Sequence, residues 1–153
     1  MRPAGKGGGR PLILSLSLRA LIAAGLIASA VIHFQLAAGY QQAAPGGIGQ
    51  GNLFRIHAAA SLATAVFILI KGSSPAFLMA ALVTLSAFAA AILYRYVPLP
   101  EIGPIPSMYE PVWFTEKVIA TVVEGIAGVL SVAGYLQRRK NAVRLRSSLN
   151  SSP

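Results

Sequence analysis

The chain has 153 residues, 55% of them hydrophobic and only 11% charged, with a mean hydropathy of +0.65. A soluble domain devotes about a quarter of its residues to charge, so no water-facing shell can be built from this composition, and lipid is the solvent these apolar residues require. The net charge of +9 does not signal nucleic-acid binding: ten of the thirteen basic residues lie in the two tails, in the first apolar segment or in one short turn, with no base-stacking aromatics among them. The absence of cysteine excludes disulfides, thiolate metal sites and thiol catalysis.

Residues 1–11 are Gly-rich and basic and read as a flexible tail. Four apolar segments follow, predicting helices over about 12–38, 53–70, 75–94 and 117–136. Each supplies enough residues to cross a hydrocarbon core of about 30 Å at about 1.5 Å per residue. In lipid the backbone has to satisfy its own hydrogen bonds, so the segments are helices, not strands. Residues 39–52 read as a loop, with four glycines and a proline between Ala44 and Gly51. Residues 71–75 form a tight turn whose Pro75 starts the third helix. The longest connection, 96–116, contains five prolines and brings Tyr109, Trp113 and Phe114 to the start of the fourth helix, where an interfacial aromatic belt is expected. Residues 138–153 form a basic and polar tail, expected to be disordered beyond Arg146. The expected fold is all-α: a four-transmembrane-helix bundle over 12–137.

Orientation follows the cations. Arg2, Lys6, Arg10, Arg19, Lys71, Arg138, Arg139, Lys140, Arg144 and Arg146 fall on one side, and only Arg55, Arg95 and Lys117 on the other. Short basic segments stay in the cytoplasm, which predicts a multi-pass protein of the cytoplasmic (plasma) membrane with both termini inside. Ala28-Ser29-Ala30 after a basic start also resembles a signal-peptidase site. Arg19 interrupts that apolar run, however, and the run continues past the cut through Ile32 and Phe34. The first helix is therefore read as retained.

Ionisable groups inside hydrocarbon are costly and need a reason. His33, His57 and Glu124, on helices one, two and four, all lie roughly 6 to 10 Å below the outer boundary. Gly25, Ser29 and His33 share one helical face; His57, Ser61 and Thr64 share another; Lys117, Thr121, Glu124, Gly128 and Ser131 share a third. Small and hydroxylated residues on such stripes let membrane helices approach and hydrogen-bond. The three faces are expected to point inward, with Ser29, Ser61, Thr64, Thr121 and Ser131 as an intramembrane polar network around the ionisable trio. That trio admits several readings. It can be a structural network, a zinc or copper site, a quinone or proton-relay site, or the axial histidines of a haem with Arg55 and Arg95 near its propionates.

The external cluster Arg95, Glu110, Trp113, Glu116 and Lys117 reads either as an amphipathic anchor in the headgroup layer or as a lid over the same mouth, with Arg95 and Glu110 placed to pair. No phosphate-binding loop, zincin helix or nucleophile elbow occurs. There is no Asp, and the two halves show no repeat of the transporter kind. His33 followed by Gly39-Tyr40, an Ile-Gly segment leading into the second helix and a Glu in the fourth resemble small four-helix integral membrane proteins of high-GC bacteria. The resemblance covers about residues 20–136 and implies a topology but no activity. These observations favour a non-enzymatic accessory or scaffold subunit, packed on lipid and on a membrane-protein partner or a second copy. A cofactor- or metal-binding role for His33, His57 and Glu124 is the alternative, and a small proton-coupled carrier ranks last.

Overall fold

The computed structural model describes residues 9–43 and 45–150. It contains four helices, α1 (Gly9–Ala43), α2 (Gln50–Lys71), α3 (Ser74–Tyr96) and α4 (Thr115–Asn150). All four carry stretches long and apolar enough to cross a membrane, namely Ser15–Ala43, Gln50–Lys71, Ser74–Tyr96 and Thr115–Arg144. The exterior is greasy: Leu21, Phe34, Ile70 and Val129 are each more than 60% exposed. Such a surface suits lipid and not water.

Short connections make sequence neighbours antiparallel. Around the bundle α1 packs along α2 and α4, and α3 along α4 and α2, while α1 barely meets α3. One end therefore holds the α2–α3 turn together with the start of α1 and the far part of α4. The other end, called the mouth here, gathers the connections before α2 and before α4.

The half nearer the α2–α3 turn is solid. Ile22, Leu26, Ala65, Ile68, Ala76, Phe77 and Ala80 form its buried core, with small residues letting the backbones close in. Arg19 belongs to this end, and its Nε donates to the Ile68 carbonyl at 2.8 Å. That carbonyl, near the end of α2, also accepts the Gly72 N–H at 3.1 Å, and the guanidinium takes its second lone pair. Gly72 follows in the left-handed conformation (φ 51°), an arrangement glycine adopts without a Cβ penalty. The arginine within the first apolar run thus caps the neighbouring helix.

All four helices exceed their expected bounds, α1 and α4 by the most, and α1 begins at Gly9, within the stretch expected to be a flexible tail. α1 continues through Gly39 to Ala43 instead of ending near residue 38, because its last turns have tertiary work. The Tyr40 ring packs on Phe54 at 4.8 Å, and Gln41 Oε1 accepts the Asn52 N–H at 3.0 Å, supplying the first turn of α2 with a missing acceptor. The glycine-rich loop shrinks accordingly. α4 runs to Asn150, past the point where disorder was expected. Residues 136–146 are mostly good helix formers without Gly or Pro. The polar composition marked this stretch as unable to form a core, which does not prevent it from extending a helix already formed. The 1–8 part of the N-terminal tail lies outside the described residues.

Residues 97–114 form no helix but fold over the mouth. Ile102 and Ile105 exchange backbone bonds of 3.0 and 3.1 Å, the Ile48 N–H donates to the Pro104 carbonyl at 2.8 Å, and the Glu110 N–H donates to the Tyr94 carbonyl at 3.0 Å. The five prolines of this connection deny it the donors a helix needs, and these bonds tie it to the bundle instead.

Candidate functional site

Three helices deliver the ionisable residues to one point. Ser29 and His33 stand one turn apart on α1, His57 and Ser61 one turn apart on α2, and Glu124 sits on α4. Gly25 makes this possible: a Cβ there would come within 3.0 Å of the Ala127 methyl, so only a glycine lets α1 and α4 cross this closely without a shift. Ser29 and Glu124, each 1% exposed, meet as a result.

The Ser29 hydroxyl donates to Glu124 Oε1 at 2.6 Å. Its oxygen lies 3.1 Å from His57 Nε2 and 3.4 Å from His33 Nδ1. Glu124 Oε1 is 3.5 Å from His57 Nε2 and 3.7 Å from His33 Nδ1. The bonding assigns the protons. Ser29 has one proton and gives it to the carboxylate, so it accepts from His57 Nε2–H. His33 Nδ1 lies 2.9 Å from the Ser29 carbonyl, which only accepts, so His33 carries a proton on Nδ1. His33 Nε2 and His57 Nδ1 are left without protein partners among the described residues.

Those rings line a cavity of about 270 Å³ that opens toward the mouth. The side chains of His33 and His57 retain 16% and 18% exposure, which they present to this space. The floor is polar, formed by the two imidazoles, Glu124 and Thr121, whereas Leu36, Phe54, Ala87, Ala90 and Phe114 make the walls apolar. Tyr40, Glu110 and Lys117 stand at the rim. Tyr40 OH donates to Glu110 Oε2 at 3.4 Å, and Lys117 Nζ donates to the Glu110 carbonyl at 2.6 Å, with its ammonium 5.2 Å from the Trp113 ring centre.

The inward-facing layer expected of His33, His57 and Glu124 is what the structure contains, but the wider hydroxyl network is smaller than expected. Ser29 bridges helices, and Ser61 reaches His57 on its own helix at 3.3 Å. Thr64, Thr121 and Ser131 bond instead to carbonyls one turn back, at 2.7, 2.7 and 2.6 Å. A buried hydroxyl that finds no partner across the contact satisfies itself this way.

In the external cluster, Glu110 and Lys117 join the cavity rim while Trp113 and Glu116 remain exposed. The expected Arg95–Glu110 pair is absent from the ion pairs of the described residues. Arg95 instead stacks over Tyr96 at 5.0 Å and leaves a buried Nε without a partner. Haem does not fit this arrangement, because the His33 and His57 ring centres are only 4.4 Å apart and leave no gap for a macrocycle between them. Sequence reasoning missed Tyr40, Phe54, Tyr94, Met108 and Phe114 as lining residues. Tyr40 lies seven residues after His33 and Phe54 three before His57, spacings that share a face; Met108 sits in an irregular segment and carried no such signal. No protein-family model, curated protein or solved structure matches the chain.

Proposed function

We propose that the chain is a multi-pass protein of the cytoplasmic membrane, both ends inside, that binds a small, largely apolar molecule with a polar end in its outward cavity. One observation carries this reading: a cavity of about 270 Å³ has apolar walls over a floor of His33, His57 and Glu124. Ligand sites combine mostly apolar lining with a few convergent polar groups. A subunit that only packs on itself or a partner gains nothing from an opening of this size, since empty space forfeits dispersion contacts. For that reason binding ranks above the scaffold role. The volume suits a single substituted ring, such as a quinone head group in its reduced, quinol form, whose hydroxyls can donate to the unprotonated His33 Nε2 and His57 Nδ1. The cation distribution supports the orientation, which puts the mouth at the outer leaflet.

The test is ligand-induced stabilisation of the detergent-solubilised chain by a short-chain hydroquinone kept reduced. Saturation at about 100 times Kd raises unfolding free energy by about 2.7 kcal/mol. Ala90→Phe, which fills the cavity, and His57→Ala, which removes a floor contact, are expected to abolish the shift. A probe that stabilises all three proteins equally, or none, refutes the proposal.

A further inference from the structure

The floor of the cavity gathers three potential metal ligands around one point. Glu124 Oε1 faces two imidazole nitrogens at 3.5 and 3.7 Å, too long for good hydrogen bonds, which run at about 2.7–3.2 Å. The two nitrogens are engaged by Ser29 instead, His33 Nδ1 by its carbonyl at 2.9 Å and His57 Nε2 by its hydroxyl oxygen at 3.1 Å. The separations to the carboxylate also come close to the spacing of metal ligands. Zinc bonds of about 2.0–2.1 Å in a tetrahedron set its donors roughly 3.3 Å apart. One donor atom each from His33, His57 and Glu124 lies within 4.8 Å of the others, so side-chain rotations that close the widest gap by roughly 1.5 Å bring all three to the spacing of ligands on one ion.

We propose that His33, His57 and Glu124 form a mononuclear site for a divalent transition-metal cation of the zinc class, held beneath the two imidazole rings. The donor set selects the metal. Two imidazoles with one carboxylate suit zinc and its neighbours, whereas calcium and magnesium require oxygen ligands. Ser29 is the positioning residue, because its hydroxyl donates to the carboxylate at 2.6 Å and holds it toward the histidines as outer partners of metal ligands do. Coordination through His33 Nδ1 and His57 Nε2 moves each imidazole proton to the opposite ring nitrogen, on the cavity side. His33 then turns off the Ser29 carbonyl. The inference uses the same site as the proposed function and names what occupies its floor, but it does not depend on an organic ligand.

The experiment uses the full chain in nonionic detergent, stripped with a chelator and titrated with ZnCl₂ alone by calorimetry. Elemental analysis after gel filtration gives the stoichiometry, and Co²⁺ serves as a coloured substitute for the visible bands of a tetrahedral site. One ion per chain is expected. Affinity should fall more than about 100-fold in His57→Ala and in Glu124→Gln, and roughly 10- to 100-fold in Ser29→Ala. Glu116→Gln, at an exposed position, should leave it unchanged. If Glu124→Gln does not fold, His33→Ala and His57→Ala, whose rings are partly exposed, decide the matter. Substoichiometric zinc, or binding that survives both histidine changes, overturns the proposal. A chain that ignores zinc yet still binds the hydroquinone in a cavity-dependent way refutes the metal and keeps the proposed function; the reverse pattern refutes the organic ligand alone.

Discussion

Replacing Ser29 by Ala tests the hub of the site. The change deletes the 2.6 Å bond to Glu124 and the 3.1 Å contact with His57, and it leaves Glu124 with approaches no shorter than 3.5 Å. Interhelical hydrogen bonds in membrane proteins contribute about 0.6 kcal/mol on average and about 1.7 at most. The Glu124 bond belongs near the upper figure, because it is short and can be charge-assisted, and the His57 contact near the average. The expected loss is therefore about 2 kcal/mol. It is to be measured by SDS-induced unfolding in mixed micelles, using the metal-free chain so that folding and binding stay separate. A double-mutant cycle with Glu124→Gln should return a coupling of at least about 1 kcal/mol, since the two side chains touch. A loss below about 0.5 kcal/mol, or a coupling near zero, refutes the assignment of Ser29 as the bridge between α1 and α4.

Three further outcomes are expected. Gly25→Val inserts a branched side chain where even a Cβ would sit 3.0 Å from Ala127. Overpacking of this kind costs about 1–3 kcal/mol, and zinc affinity should fall with it as Ser29 and Glu124 separate; unchanged unfolding would contradict the close crossing. Arg19→Met removes the 2.8 Å bond to the Ile68 carbonyl and should lower stability by about 1 kcal/mol in the same unfolding assay while leaving ligand binding intact. The chain has no cysteine, so single cysteines report orientation without background. In intact spheroplasts, Glu101→Cys should react with a membrane-impermeant maleimide and Asn141→Cys should not; the opposite pattern inverts the topology.

How the chain divides between what was legible and what was not follows from particular residues. The four helices were readable because each apolar run is long enough to cross a hydrocarbon core and is bounded by Gly or Pro. The layer of His33, His57 and Glu124 was readable because charge in such a run is rare and helical rise converts spacing into depth. Hydropathy and periodicity are local properties, and local reasoning recovers them.

Ser29 as hub, the Tyr40–Glu110 rim and the work of Arg19 were not legible, because each depends on which helices are neighbours and how closely they cross. Ser29 and Thr64 look alike along the chain, yet one reaches Glu124 on another helix and the other bonds to its own backbone. Helix ends behaved likewise: Gly39 weakens a helix by itself, but Tyr40 and Gln41 gain contacts with α2 that carry α1 past it. Composition and hydrophobic length decide that four helices form. The cavity and its polar floor arise only when those helices pack, because their distances are set by partners far apart in the chain.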